Sequence, residues 1–166
     1  MGKLHSKESV YSFLQSHAVG VLSTVSSEGL PDASPIYFVT DTDLNFFFLT
    51  KSQLKKSQDI NSHNHAALTI VEPSSLITIQ ATGTVKEVEN PLMYEKIAEA
   101  NAQEKGGLQW PPPLHKLHHS GDLLMYQLTP NWLRVADFSE SEDKTNITND
   151  IFHEIISYKE AEENNL

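Results

Sequence analysis

Apolar and polar side chains alternate along most of this 166-residue chain, which is the pattern of strands with one buried face. The alternation is clearest in residues 76–89, where Ile77, Ile79 and Val85 share one face and threonines occupy the other. The pattern predicts strands at 19–25, 33–40, 44–49, 66–71, 76–89 and 123–138. The last of these is either one long bent strand or a pair of strands interrupted at 130–131.

Four other segments are predicted to be helical. Ser6 caps a first helix, and a short polar helix is predicted at 52–61. Pro91 opens a third helix, which the glycines at 106–107 end. In the tail, the apolar residues of 151–158 predict a fourth helix, which docks on the body of the protein or on a partner.

About six strands, few helices and no regular alternation of strand with helix predict a mainly β fold, a β-barrel with flanking helices. We expect a six-stranded antiparallel barrel whose first three strands form a meander. Pro35 predicts a strand edge or a bulge, and Gly83 predicts a bend or a close backbone approach. We assign the barrel to residues 1–138, and an acidic tail with a docking helix to residues 139–166.

The net charge of −10 is concentrated in the tail. Residues 137–166 carry nine acidic residues and two lysines, and the remainder of the chain is close to neutral. Neither part offers the basic surface that nucleic-acid binding requires, so no nucleic-acid partner is expected. The chain has no cysteine, no signal-peptide pattern and no apolar run of the ~20 residues that a membrane helix needs. These features favour a cytoplasmic protein without a membrane partner.

Hydroxyl and ammonium groups cluster where the third strand ends and the next helix begins. Thr50 ends an apolar segment, and Lys55, Lys56 and Ser57 follow. A helix start that carries lysines and hydroxyls favours an anion such as a phosphate, although the same lysines are also typical of a solvated helix face, which spacing alone favours. Arg134 is the only arginine, so any phosphate must be held mainly by lysines, hydroxyls and backbone N–H groups.

The histidines and a tryptophan form two further groups of candidates. His115 and His119 are four residues apart and could bind a metal from one helix face, but no paired carboxylate accompanies them. Surface histidines are the favoured interpretation, and no metal site is predicted. Trp110, followed by prolines 111–113, predicts a stiff loop that either walls a planar ligand or covers the barrel end. No Walker A, Rossmann or nucleophile-elbow motif occurs, so catalytic residues stay unassigned.

Taken in order, several segments resemble the pyridoxamine 5′-phosphate oxidase-like family of FMN-binding split barrels. The resemblance covers about residues 8–138 and depends on the order and spacing of the segments more than on any single motif. The matching segments are GVLSTV (20–25), EGLP (28–31), SPIYFV (34–39), LNFFFLT (44–50), KK (55–56), Ile60, HN (63–64), AAL (66–68) and ATGTV (81–85).

The resemblance implies an FMN site between the two subunits of a homodimer. It implies that the second strand lies along the isoalloxazine ring and that the end of the third strand, with the basic pair after it, holds the phosphate. Gln80, Gln109 and Trp110 are the candidates from the partner chain. The candidates within one chain are Ser34, Pro35, Ile36, Tyr37, Val39, Leu49, Thr50, Lys55 and Lys56.

The chain also departs from the family pattern. Pyridoxamine phosphate oxidases have arginines and a histidine near the C-terminus that hold the substrate phosphate, whereas here Arg134 is followed by an acidic tail. Ser34 stands where an arginine is expected, and Val39 where a lysine is expected. The resemblance therefore implies an FMN-dependent oxidoreductase of unknown substrate. The alternative is a non-catalytic protein that binds haem or a deazaflavin in the same cleft, and the histidines motivate the haem version.

Overall fold

The computed structural model describes residues 4–103, 122–138 and 151–158. Three helices and seven strands occur in this part of the chain. They are, in chain order, α1 (Lys7–Leu14), β1 (Val19–Val25), β2 (Pro31–Thr40), β3 (Phe46–Lys51), α2 (Lys55–Ser62), β4 (His65–Glu72), β5 (Ile77–Glu87), α3 (Pro91–Gln103), β6 (Leu123–Asp137) and β7 (Phe152–Ile156).

Six of the strands close into an antiparallel barrel. The sheet runs in the order β3, β2, β1, β4, β5, β6, and the pairing of β3 with β6 joins its two ends. The first three strands form a meander, as predicted. Alternate residues of each strand fill the interior, where Phe38, Phe46, Phe48 and Tyr126 are among the largest fully buried side chains. The barrel fold predicted from the sequence is confirmed.

The third strand begins two residues later than its apolar residues predict. Leu44 is fully buried but has a φ of 66°, so it belongs to the turn before β3. The carboxylate of Asp41 holds this turn by accepting hydrogen bonds from the backbone N–H groups of Asp43 and Asn45, at 3.1 and 2.8 Å. An Asx-type turn therefore overrides the extended conformation that Leu44 itself favours.

β6 is one long strand with a local irregularity, which confirms one of the two predicted alternatives. Its pairing with β5 shifts register between Thr82 and Gly83. A Cβ atom on Gly83 would overlap the backbone carbonyl of Thr129, so only glycine allows the two strands to approach this closely. The close approach predicted at Gly83 is confirmed.

α3 lies on the outer face of the barrel beside β2 and β3. Met93 and Ile97 of this helix pack with Phe47 and Met125 in a second, smaller apolar cluster. Residues 106–107, which the sequence predicts to end this helix, lie outside the described part. None of the helices in the described residues is long and apolar enough to cross a membrane. The cytoplasmic location stays a prediction.

The prediction of a helix at 151–158 is wrong. Residues Phe152–Ile156 form β7, which pairs antiparallel with the second half of β6. Ile151 and Ile156 are buried, and Ile156 packs in the main core, so the segment docks on its own chain. A short apolar run is compatible with the period of a helix or with that of a strand. Here the edge of β6 offers backbone groups that pair with the segment, and this pairing favours a strand. The boundary at residue 138 stays a prediction, although β7 belongs to the barrel sheet.

Candidate functional site

The barrel is split between β2 and β3. These strands pair only from Phe38 with Phe48 to Thr40 with Phe46, whereas β2 pairs with β1 over the whole of Pro31–Tyr37. If the register continued, Tyr37 would oppose Leu49 and Ile36 would oppose Thr50. The β2 edge over residues 31–37, on the side away from β1, therefore has no strand partner among the described residues, and we call this opening the split.

The split brings together most of the candidates from the second and third strands. Alternation and burial place Asp32, Ser34 and Ile36 on the inward face of β2, with Pro35, Tyr37 and Val39 on its outward face. In β3, Thr50 belongs to the inward set and Leu49 packs with the outer apolar cluster. Pro35 lies on the part of β2 that has a single strand neighbour among the described residues, which agrees with the strand edge, one of the two alternatives predicted for it.

Two buried hydroxyls at the split lack partners. Ser34 Oγ and Thr50 Oγ1 are inaccessible to solvent, and neither has a hydrogen-bond partner within the described part of the chain. Leaving a buried hydroxyl unpaired costs about 1–3 kcal/mol. These orphaned groups fit a polar ligand that accepts hydrogen bonds, such as a phosphate.

α2 begins directly after β3 and is tied to its end. Ser57 Oγ donates to the carbonyl of Lys51 at 2.9 Å, which fixes the first turn of the helix against the strand. Leu54 is the N-cap and provides no side-chain hydrogen bond, so the backbone N–H groups of the first turn are not capped by a side chain. The backbone N–H of Ser57 donates to the carbonyl of Leu54, so the first two N–H groups of the helix, those of Lys55 and Lys56, are the donors that the helix start offers an anion a few residues after Thr50.

Lys55 is held by an acidic partner. Its ammonium donates to Asp59 Oδ2 at 2.8 Å, and the same oxygen accepts a hydrogen bond from Thr24 Oγ1 at 2.9 Å. Asp59 is 3% exposed. The hydrogen bond from Lys55, supported by that from Thr24, lowers the pKa of Asp59 against the opposing effect of burial. The structure therefore places Lys55 near the split but directs its ammonium to Asp59.

Lys56 has a different environment. It is half-buried, and its ammonium has no hydrogen bond or ion pair to any described residue. Burial lowers its pKa, and the negative charge of Asp32 acts in the opposite direction. A partly desolvated cation without a partner is suited to an anionic ligand. Of the two lysines predicted for the phosphate, Lys56 is the one that the geometry leaves available.

Sequence reasoning missed Asp32 and Asp59. Asp32 lies directly opposite Thr24 in the β1–β2 ladder, and directly opposed residues share a face of the sheet. Because Thr24 binds Asp59, both carboxylates lie at the α2 end of the split. The spacing of Lys55 and Asp59, one helical turn apart, is a signal that could have revealed their pair.

Gln80 lies elsewhere on the barrel. It is exposed on the outer face of β5, which β1 and β4 separate from β2, so one chain does not bring Gln80 to the split. Its Oε1 accepts a hydrogen bond from Arg134 Nη2 at 2.7 Å. The Arg134 guanidinium lies over the rings of Trp132 and Phe152, at 5.2 and 4.7 Å. Gln109 and Trp110 lie outside the described residues.

Two cavities adjoin these elements. One, of about 560 Å³, lies between α1, α3 and the end of β2, and Val39 is the predicted site residue that lines it. The other, of about 380 Å³, is lined by residues of β1, β4, β5 and β6 together with Tyr158, whose hydroxyl lies 3.1 Å from Thr82 Oγ1.

Among the described residues, no group of three His, Asp or Glu side chains could hold a metal ion. His115 and His119 lie outside that part of the chain.

The protein is a split barrel. Its six antiparallel strands close through the pairing of β3 with β6, the ladder between β2 and β3 is interrupted, and hydroxyls and a lysine lie at that opening. The model of the family described as pyridoxamine 5′-phosphate oxidase matches residues 6–136. The chain therefore belongs to the pyridoxamine 5′-phosphate oxidase family. No curated protein matches it.

Solved structures share the fold at low sequence identity. An F420 reductase is 20% identical with a TM-score of 0.60, covering 80% of this chain and 98% of its own. The haem storage protein HutZ from Vibrio cholerae is 15% identical with a TM-score of 0.55, covering 74% and 88%. A pyridoxamine 5′-phosphate oxidase-related, FMN-binding protein from Nostoc punctiforme is 14% identical with a TM-score of 0.55, covering 80% of each chain.

Proposed function

We propose that the protein binds FMN in the split and acts as a flavin-dependent oxidoreductase whose substrate is not pyridoxamine 5′-phosphate. The observation that carries this proposal is the pair of orphaned hydroxyls, Ser34 Oγ and Thr50 Oγ1, on the two sides of an open strand edge. Lys56, in the first turn of α2 after β3, adds an ammonium that no described residue pairs. The Nostoc punctiforme protein of the same fold is an FMN-binding protein, which supports the same ligand.

Each group at the split has a role in this proposal. Thr50 and Ser34 donate hydrogen bonds to phosphate oxygens, and Lys56 supplies a positive charge. The unpaired edge of β2 offers backbone N–H and C=O groups to the polar edge of the ring, beside Pro35 and Tyr37. Bound FMN supplies the hydride or electron transfer, and the protein supplies binding and orientation. Binding of a substrate that carries its own phosphate is not favoured, because the single arginine of the chain, Arg134, donates its hydrogen bond to Gln80.

A second copy of the chain completes the site in this proposal. β1 presents Val19, Val21 and Val25 on its outer face, 42%, 43% and 38% exposed. Val71 of β4 extends this apolar surface. Apolar surface of this kind is typical of an interface, and a homodimer formed through it would carry Gln80 toward the partner's split. Replacing Val21 with Lys should then convert dimer to monomer in light scattering, whereas Lys at the exposed apolar residue Leu92 of α3 should not. A monomeric wild-type protein would contradict the dimer.

Titration with FMN tests the cofactor directly. We expect quenching of flavin fluorescence that saturates at about one FMN per subunit, with a rise in the melting temperature because the ligand binds only the folded state. Thr84→Val, on the exposed face of β5, is the control for binding variants such as Thr50→Val. Neither quenching nor thermal stabilisation in the wild-type protein would overturn the proposal.

The second candidate function is a non-catalytic binding protein for haem or a deazaflavin. The fold shared with HutZ favours this candidate, and so does exposed His65, which lines the 380 Å³ cavity and offers an imidazole. The absorbance spectrum of the purified protein separates the two functions. A Soret band would support the haem-binding function, whereas the paired visible bands of an oxidised flavin would support the first proposal.

A further inference from the structure

The α2 end of the split contains as many carboxylates as ammonium groups. Asp59 is bound to Lys55 at 2.8 Å and to Thr24 at 2.9 Å. Asp32 lies directly opposite Thr24 in the β1–β2 ladder and therefore on the same, inward face of the sheet. Lys56, the next residue after Lys55, is half-buried at this place. Among the described residues, two positive and two negative charges thus lie at the α2 end of the split before any ligand binds.

From this arrangement we infer that Asp32 is a specificity-determining residue, which offsets Lys56 and weakens the selection of a dianionic phosphate by the split. This inference rests on the proposed binding of FMN. Its consequence concerns the class of ligand: the protein discriminates less between FMN and flavins of low side-chain charge, such as riboflavin, than the lysines and hydroxyls of the split would without Asp32. Two lysines without the two aspartates would favour FMN much more strongly.

The electrostatics of the described residues support this assignment. The carboxylate of Asp32 has no hydrogen bond or ion pair to a described side chain, so no ion pair within the described part of the chain neutralises its charge. For Lys55, whose pKa is raised first by its hydrogen bond to Asp59, the charge of Asp32 acts in the same direction. For Lys56, burial lowers the pKa and the charge of Asp32 opposes that change. A charge that stabilises these ammonium groups repels a phosphate that approaches them. β2 itself contains no lysine or arginine, so no cation on this strand compensates for Asp32.

The test compares FMN with riboflavin across three proteins: wild type, Asp32→Asn and Asp43→Asn. Asn has nearly the shape of Asp and lacks its charge, and the melting temperature without ligand checks that each variant is folded. Asp43 is an exposed carboxylate in the β2–β3 turn and serves as the matched control. At low ionic strength, Asp32→Asn should tighten FMN binding roughly three- to tenfold and change riboflavin binding less than twofold. Asp43→Asn should change neither, and added salt should shrink the effect of Asp32→Asn.

The possible results distinguish the role of Asp32 from the proposed binding of FMN. FMN binding with the same affinity in wild type and Asp32→Asn would overturn the role of Asp32 and leave the proposed function intact. Equal tightening of FMN and riboflavin would also overturn it, because the effect would then not involve the phosphate. Failure of all three proteins to bind either flavin would overturn the proposed function and this inference with it.

Discussion

Lys55 and Asp59 form an ion pair of 2.8 Å across one turn of α2, and the buried carboxylate of Asp59 anchors that turn to Thr24 of β1. The pair gives two adjacent lysines different tasks. Lys55 stabilises the attachment of the helix to the barrel, and Lys56 is left for a ligand.

Lys56→Ala should weaken FMN binding by about 1.5–3 kcal/mol, the range for a hydrogen bond to a charged group, and should leave riboflavin binding nearly unchanged. Lys55→Ala is the matched control, because it removes the same charge from the adjacent residue. It should change FMN affinity less than Lys56→Ala does. Flavin fluorescence titrations measure both. Equal losses for FMN and riboflavin in Lys56→Ala would mean that this lysine supports the structure instead of the phosphate.

Thr50→Val should separate stability from binding. The substitution removes a buried hydroxyl that has no partner among the described residues, and Val has nearly the same shape. The free energy of unfolding of the ligand-free protein should therefore stay constant or rise by about 1 kcal/mol, because an unpaired buried group is costly. FMN binding should weaken while riboflavin binding does not. A loss of stability without ligand, measured by urea unfolding, would show that Thr50 is hydrogen-bonded in the free protein.

Asp59 should contribute to the acid sensitivity of the protein. Its pKa is lowered in the folded state from an ordinary value of 3.8, first by the hydrogen bond from Lys55. A group whose pKa is lower in the folded state stabilises the fold above its unfolded pKa, and this contribution is lost as the pH falls through the folded pKa. Below about pH 4, the free energy of unfolding should therefore fall more steeply with decreasing pH for wild type than for Asp59→Asn. Parallel pH profiles would contradict this assignment.

Gly83→Ala should be strongly destabilising. The new methyl group would overlap the carbonyl of Thr129, which belongs to the paired backbone of β6 and cannot move aside as a flexible side chain could. We expect a loss of about 3 kcal/mol or more, at the upper end for overpacking, measured by chemical unfolding. Thr84→Ala, at the adjacent exposed position, should cost less than 1 kcal/mol. Similar losses for the two variants would indicate that β5 and β6 are separated at the register shift.

β7 should contribute to the stability of the barrel. Ile156 is buried in the main core, so Ile156→Ala should lower the free energy of unfolding by about 2–3 kcal/mol, whereas Ala at exposed Glu154 should have little effect. Removing residues 139–166 should lower the melting temperature as well. Amides of residues 152–156 that exchange with solvent at unprotected rates would show that the pairing with β6 does not persist in solution.

The barrel could be predicted from the sequence because its strands bury one face, and each therefore shows a period of two. The same signal could not reveal the split. β2 alternates without interruption from Pro31 to Thr40, although its pairing with β3 ends at Phe38. Where a ladder ends depends on the relative twist and direction of two strands, which neither strand encodes alone.

The candidate site could be predicted only in part, for a related reason. Thr50, Lys55 and Lys56 are close in sequence, so their clustering was visible. The contact between Thr24 and Asp59 joins residues 35 positions apart, and it determines which lysine remains available. For β7, the spacing of Ile151 and Ile155 suited a helix, and the deciding factor was an open edge on β6, which is a property of the folded barrel.

β6 also determines when the barrel can form. Its 15 residues pair with β5 along most of their length, with β3 in the first half and with β7 in the second. Until β6 has left the ribosome, β1 to β5 can form only an open sheet with exposed edges at β3 and β5. Such edges can pair with strands of other chains, so partly synthesised molecules are prone to aggregate. Closure joins Phe46 to Leu128 across a long loop, which makes it a slow, late step of folding.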